Sequence, residues 1–114
     1  MPRVLLGDFG AIARLGLKEF LNDEGFDIVG DGGSYNELLD ALGAVEADVV
    51  VVDLDMDDSE AVAAGLAHAF PEVKVIACSS HRPTMRVFPA FSRGESYELA
   101  LGPGSLAAAV RSAE

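Results

Sequence analysis

A cluster of carboxylates follows a run of four valines in the middle of the chain. The valines at 49–52 lead directly into Asp53. Four further acidic residues lie within the next seven positions: Asp55, Asp57, Asp58 and Glu60. Like charges this close repel one another unless a cation or a hydrogen-bond donor offsets them. The pattern therefore favours a divalent-cation site at Asp53 over a solvated acidic loop.

The valine run also indicates where Asp53 lies in a sheet. A continuous β-branched run is typical of a strand that is buried on both faces, as in parallel sheets. Ligands and catalytic groups of such sheets lie in the crevice beyond the carboxyl ends of the strands. Asp53 is expected at such an end.

Apolar runs and helical periods alternate through the first two thirds of the chain. Strands are predicted at 4–6, 26–30, 47–53 and 73–78. Three helices are predicted in this part. The first covers 10–24, the second begins after Ser34 as its cap, and the third covers 59–70 and ends before Pro71. This alternation predicts helices on both faces of a parallel sheet with right-handed crossovers.

The last third is less regular. Pro83 could begin a helix that Pro89 interrupts, so 85–91 is predicted as a short or kinked segment. A fifth strand at 97–101 and a final helix at 106–113 complete the pattern. The expected fold class is α/β, a doubly wound, flavodoxin-like (βα)5 domain with a five-stranded parallel sheet in the order 2-1-3-4-5. In that order Asp8, just past the first strand, lies beside Asp53.

Composition limits the class of protein. The 114 residues fit one domain, 1–114, and half of them are hydrophobic. No apolar run approaches the roughly 20 residues that a membrane span needs, and no signal peptide opens the chain, so a cytoplasmic protein is expected. The formal net charge of −11 repels phosphate backbones, so we expect no contact of this chain with nucleic acid or anionic lipid. The single Cys78 is expected to be a buried strand thiol.

Four parts of the chain, in their order and spacing, resemble a known family. The first is 3–8 together with 14–17, and the others are 28–31, 51–56 and 73–80. They resemble the receiver domain of bacterial response regulators, in particular its NarL/FixJ-type branch, over essentially the whole chain. The resemblance implies two-component (phosphorelay) signalling rather than an enzyme that turns over a substrate.

Residue by residue, the resemblance assigns five positions. Asp53 matches the phosphoacceptor, Asp8 a magnesium-binding acid, and Asp55 the residue whose backbone carbonyl binds the metal. Ser79 matches the hydroxyl residue that contacts the phosphoryl group, and Tyr97 the aromatic switch residue. An aspartyl phosphate needs a hard divalent cation and fixed donors to offset its charge, and Mg²⁺ suits that role.

Two positions depart from the family pattern. Phe9 stands where the family has the second acid of a pair. The second position is a lysine in the family. Alignment on Tyr97 puts Ala100 at that position, and alignment on the final helix puts Leu99 there. His81 and Arg82 are the nearby candidates for a replacement positive charge. The domain is therefore expected to be an atypical receiver.

Two other interpretations stay open. The first is a receiver fold that acts without phosphorylation, as an interaction or dimerisation module. The second is a phosphohydrolase of the haloacid-dehalogenase type, which the sequence Asp53-Leu54-Asp55 resembles. In that class the motif usually lies on the first strand, with a later lysine in support.

The resemblance also implies partners. They are a sensor histidine kinase, if phosphorylation is retained, and a helix-turn-helix DNA-binding output domain, attached or separate, that regulates transcription. A homodimer is expected through an apolar patch on the terminal helices or around Met85, Phe88 and Phe91.

Overall fold

The computed structural model describes residues 2–7, 9–31, 35–54, 59–79, 81–92 and 95–111. Within them a single mixed sheet has the strand order β2-β1-β3-β4-β5-β6. The strands are β1 (Arg3–Leu6), β2 (Asp27–Asp31), β3 (Val49–Asp53), β4 (Lys74–Cys78), β5 (Thr84–Phe88) and β6 (Tyr97–Ala100). The helices are α1 (Ala11–Asp23), α2 (Tyr35–Ala44), α3 (Ser59–Ala69) and α4 (Pro103–Arg111).

The four valines of β3 are buried on both faces of the sheet, as predicted. Val49 and Val51 belong to one core cluster, which also contains residues of α1 and α4. Val50 and Val52 belong to a second cluster, with residues of α2 and α3. Successive side chains of a strand point to opposite faces, so the two clusters are the two sides of a doubly wound sheet. The predicted α/β architecture is confirmed.

The first four strands are parallel neighbours in the predicted order 2-1-3-4. The chain passes from β1 to β2 on one side of β1 and then to β3 on its other side. The strand order therefore reverses at β1. The carboxyl ends of β1 and β3 therefore flank the crevice where functional groups are expected.

The end of α1 is set by Gly25, which has a φ of 85°. The Gly25 N–H donates to the Asn22 carbonyl and the Phe26 N–H to the Leu21 carbonyl, each at 3.0 Å. This pair of hydrogen bonds is the Schellman arrangement, which needs a residue in the left-handed region and favours glycine there. It turns the chain directly into β2.

The last third differs from the prediction. Residues 84–88 form β5 rather than a short helix, and β5 pairs antiparallel with both β4 and β6. The physical reason is a two-residue period: Met85 and Val87 are buried on one face, whereas Thr84 and Arg86 are partly exposed on the other. Within the described residues the sheet is therefore six-stranded and mixed, not five-stranded and all-parallel, and its edge strands are β2 and β6.

Two cationic side chains hold the C-terminal end of α4. The Nζ of buried Lys74, at the start of β4, donates to the Ala109 carbonyl at 2.7 Å. Arg111 contacts a Glu24 carboxylate oxygen at 2.9 Å, and its guanidinium lies 5.1 Å from the Phe26 ring centroid. Cations at a helix C-terminus satisfy its free carbonyls and interact favourably with its dipole. The ends of α1 and α4 are thereby joined.

Among the helices that the described residues form, none is long and apolar enough to cross a membrane.

Candidate functional site

The carboxyl ends of β3 and β4 bring Asp53 and Ser79 to the same edge of the sheet. Asp53 pairs in register with Cys78, and Ser79 follows directly. The Leu54 N–H donates to the Cys78 carbonyl at 2.9 Å, which carries the pairing one residue past Asp53. Asp53 is partly exposed, whereas Ser79 is 2% exposed. Asp53 and Ser79 are therefore neighbours at this edge.

The end of β1 approaches the same edge closely. The Gly7 N–H donates to the Val51 carbonyl at 2.7 Å. A Cβ on Gly7 would lie 3.2 Å from that oxygen and 3.3 Å from the Cα and a methyl group of Val52. The chain can approach β3 this closely because residue 7 has no side chain. Asp8, which follows, and Asp55 lie outside the described residues.

The hydroxyl of Ser79 is held by the loop after β4. Its Oγ accepts a hydrogen bond of 2.9 Å from the His81 N–H. A serine that bonds the backbone two residues ahead fixes both its own rotamer and the turn. Ser79 is thus positioned at the edge next to Asp53, while His81 and Arg82 are exposed.

Cys78 is buried, as predicted, and shares a face of the sheet with Asp53. Burial raises the pKa of its thiol, and the negative charge of Asp53 raises that pKa further, to about 12. The thiolate is the nucleophilic and metal-binding form of cysteine, so Cys78 is inert at neutral pH.

Phe9 is a buried aromatic residue next to this edge of the sheet. It is 4% exposed and packs in the cluster shared by α1 and α4. An aromatic ring cannot ligate a cation with an oxygen, so this position supplies no carboxylate to the site. Among the described residues no three His, Cys, Asp or Glu side chains are grouped as metal ligands. Of the three predicted ligands, Asp53 alone lies in the described ranges.

Tyr97 lies away from Asp53. It begins β6 and pairs with Val87, which pairs with Ile76 of β4. Strands lie about 4.8 Å apart, so Tyr97 is roughly 10 Å across the sheet from β4 and more from β3. The structure does not bring Tyr97 together with Asp53 and Ser79.

The lysine position of the family is also displaced. Leu99 and Ala100 are exposed on β6, and β5 separates them from β4. Lys74 begins β4 and lies at the opposite end of that strand from Ser79, roughly 15 Å away at a rise of about 3.3 Å per residue. Its amine is bonded to Ala109. Lys74 is therefore no substitute for the missing cation.

Sequence reasoning missed a groove of about 630 Å³ that opens beside Asp53. One face of α1 lines it with Ala13, Gly16, Leu17 and Phe20, and the opposite wall comes from α4 and the segment before it. The i, i+3, i+4, i+7 spacing of this α1 face is visible in the sequence, but the same spacing is typical of a helix face packed in the core. The two small residues on that face are the signal that could have indicated a groove.

Comparison with known proteins gives consistent results. No family model matches the chain. The transcriptional regulatory protein PdtaR of Mycobacterium tuberculosis is 28% identical over 109 residues, which cover 96% of this chain and 49% of that protein. The response regulator protein VraR of Staphylococcus saprophyticus is 30% identical over 104 residues, which cover 87% of this chain and 50% of VraR. The chain thus spans about half the length of these relatives.

Among solved structures, the signal receiver domain of the putative response regulator NarL from M. tuberculosis superposes with a TM-score of 0.61 at 26% identity. The superposition covers 71% of this chain and 68% of that one. A response regulator from Thermotoga maritima gives a TM-score of 0.62 at 25% identity, covering 72% and 69% of the two chains. Together with the sheet order and the position of Asp53, these similarities identify the chain as a response-regulator receiver domain.

Proposed function

We propose that Asp53 is the phosphoacceptor of an atypical receiver domain in a two-component pathway. The observation that carries the proposal is the pairing of Asp53 with Cys78, which puts the Asp53 carboxylate beside the buried, loop-anchored Ser79 at the carboxyl edge of the sheet. A carboxylate at this edge can attack a phosphoryl group, and a fixed hydroxyl can contact the phosphoryl oxygens. The donor would be a phosphohistidine of a sensor histidine kinase.

Mg²⁺ fits the oxygen donors at this edge. Asp8 and Asp53 would hold it with their carboxylates and Asp55 with its backbone carbonyl. When bound, the ion offsets the negative charge that collects on the phosphoryl group. Because Phe9 supplies no carboxylate, this chain has one charged ligand fewer than the family pattern, and we expect weaker Mg²⁺ binding.

The path by which phosphorylation of Asp53 would affect Tyr97 on β6 differs from the family pattern. No lysine lies on β6, and β5 separates β6 from β4. Phosphorylation of Asp53 would therefore act on the loop of Ser79 and His81 before it reached Tyr97. Arg82 and His81, both exposed near the edge, are the side chains that could meet the phosphoryl charge.

The output would be regulation of transcription through a DNA-binding domain, attached or separate. PdtaR is a transcriptional regulatory protein, and structures of the response regulator RcsB, which share this fold, are of complexes with promoter DNA. With a net charge of −11 this chain would leave DNA contact to that other domain. It would act in the cytoplasm, where the kinase's phosphohistidine is presented.

The same chain could act as a homodimer. Of the patch predicted around Met85, Phe88 and Phe91, the first two are buried at 1% and 4% exposure, because β5 is an interior strand. That part of the prediction was wrong. Phe91 is 72% exposed and would be the aromatic contact of such a dimer.

A constitutive, phosphorylation-independent interaction module is the second candidate. Two observations favour it: the buried Phe9 at an acid position and the absence of a lysine along β6. Both remove charge that a phosphorylation switch uses.

A titration followed by amide chemical shifts distinguishes the two. The domain is titrated with Mg²⁺, with and without beryllofluoride, which mimics an aspartyl phosphate, and Asp53→Asn is the control. Saturable shifts at Asp53, Ser79 and His81 that vanish in the control support phosphorylation. No response at millimolar Mg²⁺ refutes it and favours constitutive contacts.

A further inference from the structure

The groove beside Asp53 extends away from the proposed phosphorylation site, between α1 and the segment that leads into α4. Its volume of about 630 Å³ falls within the range of small-molecule sites, roughly 300–1,000 Å³. Apolar side chains form most of its lining, among them Phe9, Leu17, Phe20, Leu101 and Leu106. Such a concave, apolar space with a few polar groups at one place is the usual form of a ligand site.

Contacts outside the groove fix the two helices that line it. Glu24 and Phe26, just past the C-terminus of α1, hold Arg111 at the C-terminus of α4. Lys74 bonds the last turn of α4 to the sheet. The same two helices line the groove, and none of these contact residues is part of its lining. The helices are thus positioned by contacts that a ligand in the groove would not disturb.

Gly16 leaves room in the groove that a side chain would fill. It lies in the interior of α1, where glycine is less favourable than alanine by about 1 kcal/mol. Close packing does not explain it, because a Cβ at this position would meet no atom within 4 Å. Gly16 lines the groove, so a larger side chain there would occupy it.

The polar groups of the groove define the ligand's charge. Asp53 is the last residue of β3, and Ser79 and His81 follow β4. The three side chains therefore lie together at one end of the groove. Asp53 is the one acidic side chain among the described residues that line the groove, and it places a carboxylate at this end. A cationic group is attracted to this end, whereas a carboxylate or phosphate is repelled.

We propose that the groove binds a small apolar molecule that carries one amine cation, with the amine at Asp53 and the apolar body between α1 and α4. The proposal does not depend on phosphorylation of Asp53. Ligand and phosphoryl group would compete, because both need the same carboxylate.

Two matched fluorescent probes test the proposal. Dansylcadaverine joins a naphthalene ring to a primary amine, and the dansyl derivative of aminocaproic acid joins the same ring to a carboxylate. Titrations contain neither Mg²⁺ nor beryllofluoride, so their outcome is independent of the phosphorylation test. We expect saturable fluorescence enhancement with the amine probe and at least about tenfold weaker binding of the acid probe. Asp53→Asn should remove most of that difference.

A matched pair of substitutions at Gly16 tests whether the amine probe binds in the groove. Gly16→Leu should weaken binding of the amine probe by about tenfold or more, whereas Gly16→Ala, with the same backbone change and little added volume, should change it less than about threefold. Thermal denaturation checks that both variants are folded. Gly10→Leu is a second filling variant, since a Cβ on Gly10 also meets no atom within 4 Å. Equal binding of the two probes, undiminished binding to both filling variants, or no saturable binding of the amine probe would overturn the proposal.

Discussion

Asp53 and Cys78 are paired residues at the ends of neighbouring parallel strands, and both line the groove on the α1–α4 side of the sheet. The carboxylate is partly exposed, whereas the thiol is 4% exposed. The Asp53 charge therefore acts on Cys78 through the protein interior, where it is screened less than in water. The titration of Cys78 therefore reports whether residue 53 carries a carboxylate.

We expect Cys78 to stay a thiol until strongly alkaline pH. Burial and the Asp53 charge raise its pKa from 9.0 to about 12. Above pH 9 the unfolded chain loses this proton while the folded chain keeps it, so the free energy of unfolding falls between pH 9 and 12. The slope from this group is at most about 1.4 kcal/mol per pH unit. Urea denaturation across this range should show it in the wild type and not in Cys78→Ala.

Asp53→Asn should lower the pKa of Cys78 by removing the smaller of the two causes. Alkylation by iodoacetamide at pH 9–11 should then be faster than in the wild type. An unchanged rate would mean that the carboxylate charge does not reach the thiol.

Replacing Gly7 should disturb the contact between β1 and β3. In Gly7→Ala the new methyl group would press on the Val51 carbonyl and on Val52, and the strands would have to separate slightly. We expect a loss of about 1–3 kcal/mol in the free energy of unfolding, measured in urea. Gly43→Ala is the matched control: its Cβ meets nothing within 4 Å, and in α2 it should be stabilising by about 0.5–1 kcal/mol. Similar effects at both positions would contradict the close approach at Gly7.

Phe9→Asp would restore the family's second acid. We expect tighter Mg²⁺ binding, by about tenfold, because a further carboxylate joins the site. We also expect a loss of about 3–5 kcal/mol in stability, because Phe9 is buried in the α1–α4 cluster. Isothermal titration with Mg²⁺ and urea denaturation measure the two effects, and Phe9→Leu controls for the loss of the ring. Tighter binding in Phe9→Leu as well would mean that ring removal, not the carboxylate, is responsible.

The bond from Lys74 to Ala109 should contribute to stability through both its amine and its aliphatic stem. Lys74→Met keeps an apolar stem but leaves the Ala109 carbonyl without this donor, which costs about 1–3 kcal/mol. Removal of a buried charge offsets part of that loss. Lys74→Ala should cost more, because the stem's packing is also lost. Thermal and urea denaturation of both variants check this order, and equal losses would assign the whole effect to the amine.

The first two thirds of the fold could be predicted because each element carries one clear signal. The valines of β3 indicate a strand buried on both faces, and Gly25 indicates the end of α1. The segment 84–88 was misassigned because its flanking prolines were interpreted as helix signals. The alternation of Met85 and Val87 with Thr84 and Arg86 is the stronger pattern, since burial of one face decides the structure of so short a segment.

The candidate site was predictable to the extent that it depends on strand order. Adjacency of Asp53 and Ser79 follows from the parallel pairing of β3 with β4. The groove was not predictable, because it depends on how α1 and α4 are placed on the sheet, which the contact between Glu24 and Arg111 helps to fix. That contact joins residues far apart in the sequence, and no local pattern indicates it.

The antiparallel pairing of β5 has a consequence for the order of folding. It joins residues that are near in sequence, such as Ala77 with Arg86, whereas β1 and β3 join distant ones, such as Val4 with Val49. Near contacts close small loops and lose less chain entropy before they form. The β4-β5-β6 half of the sheet is therefore expected to acquire its pairing early, and the parallel strands that hold Asp53 to assemble onto it afterwards.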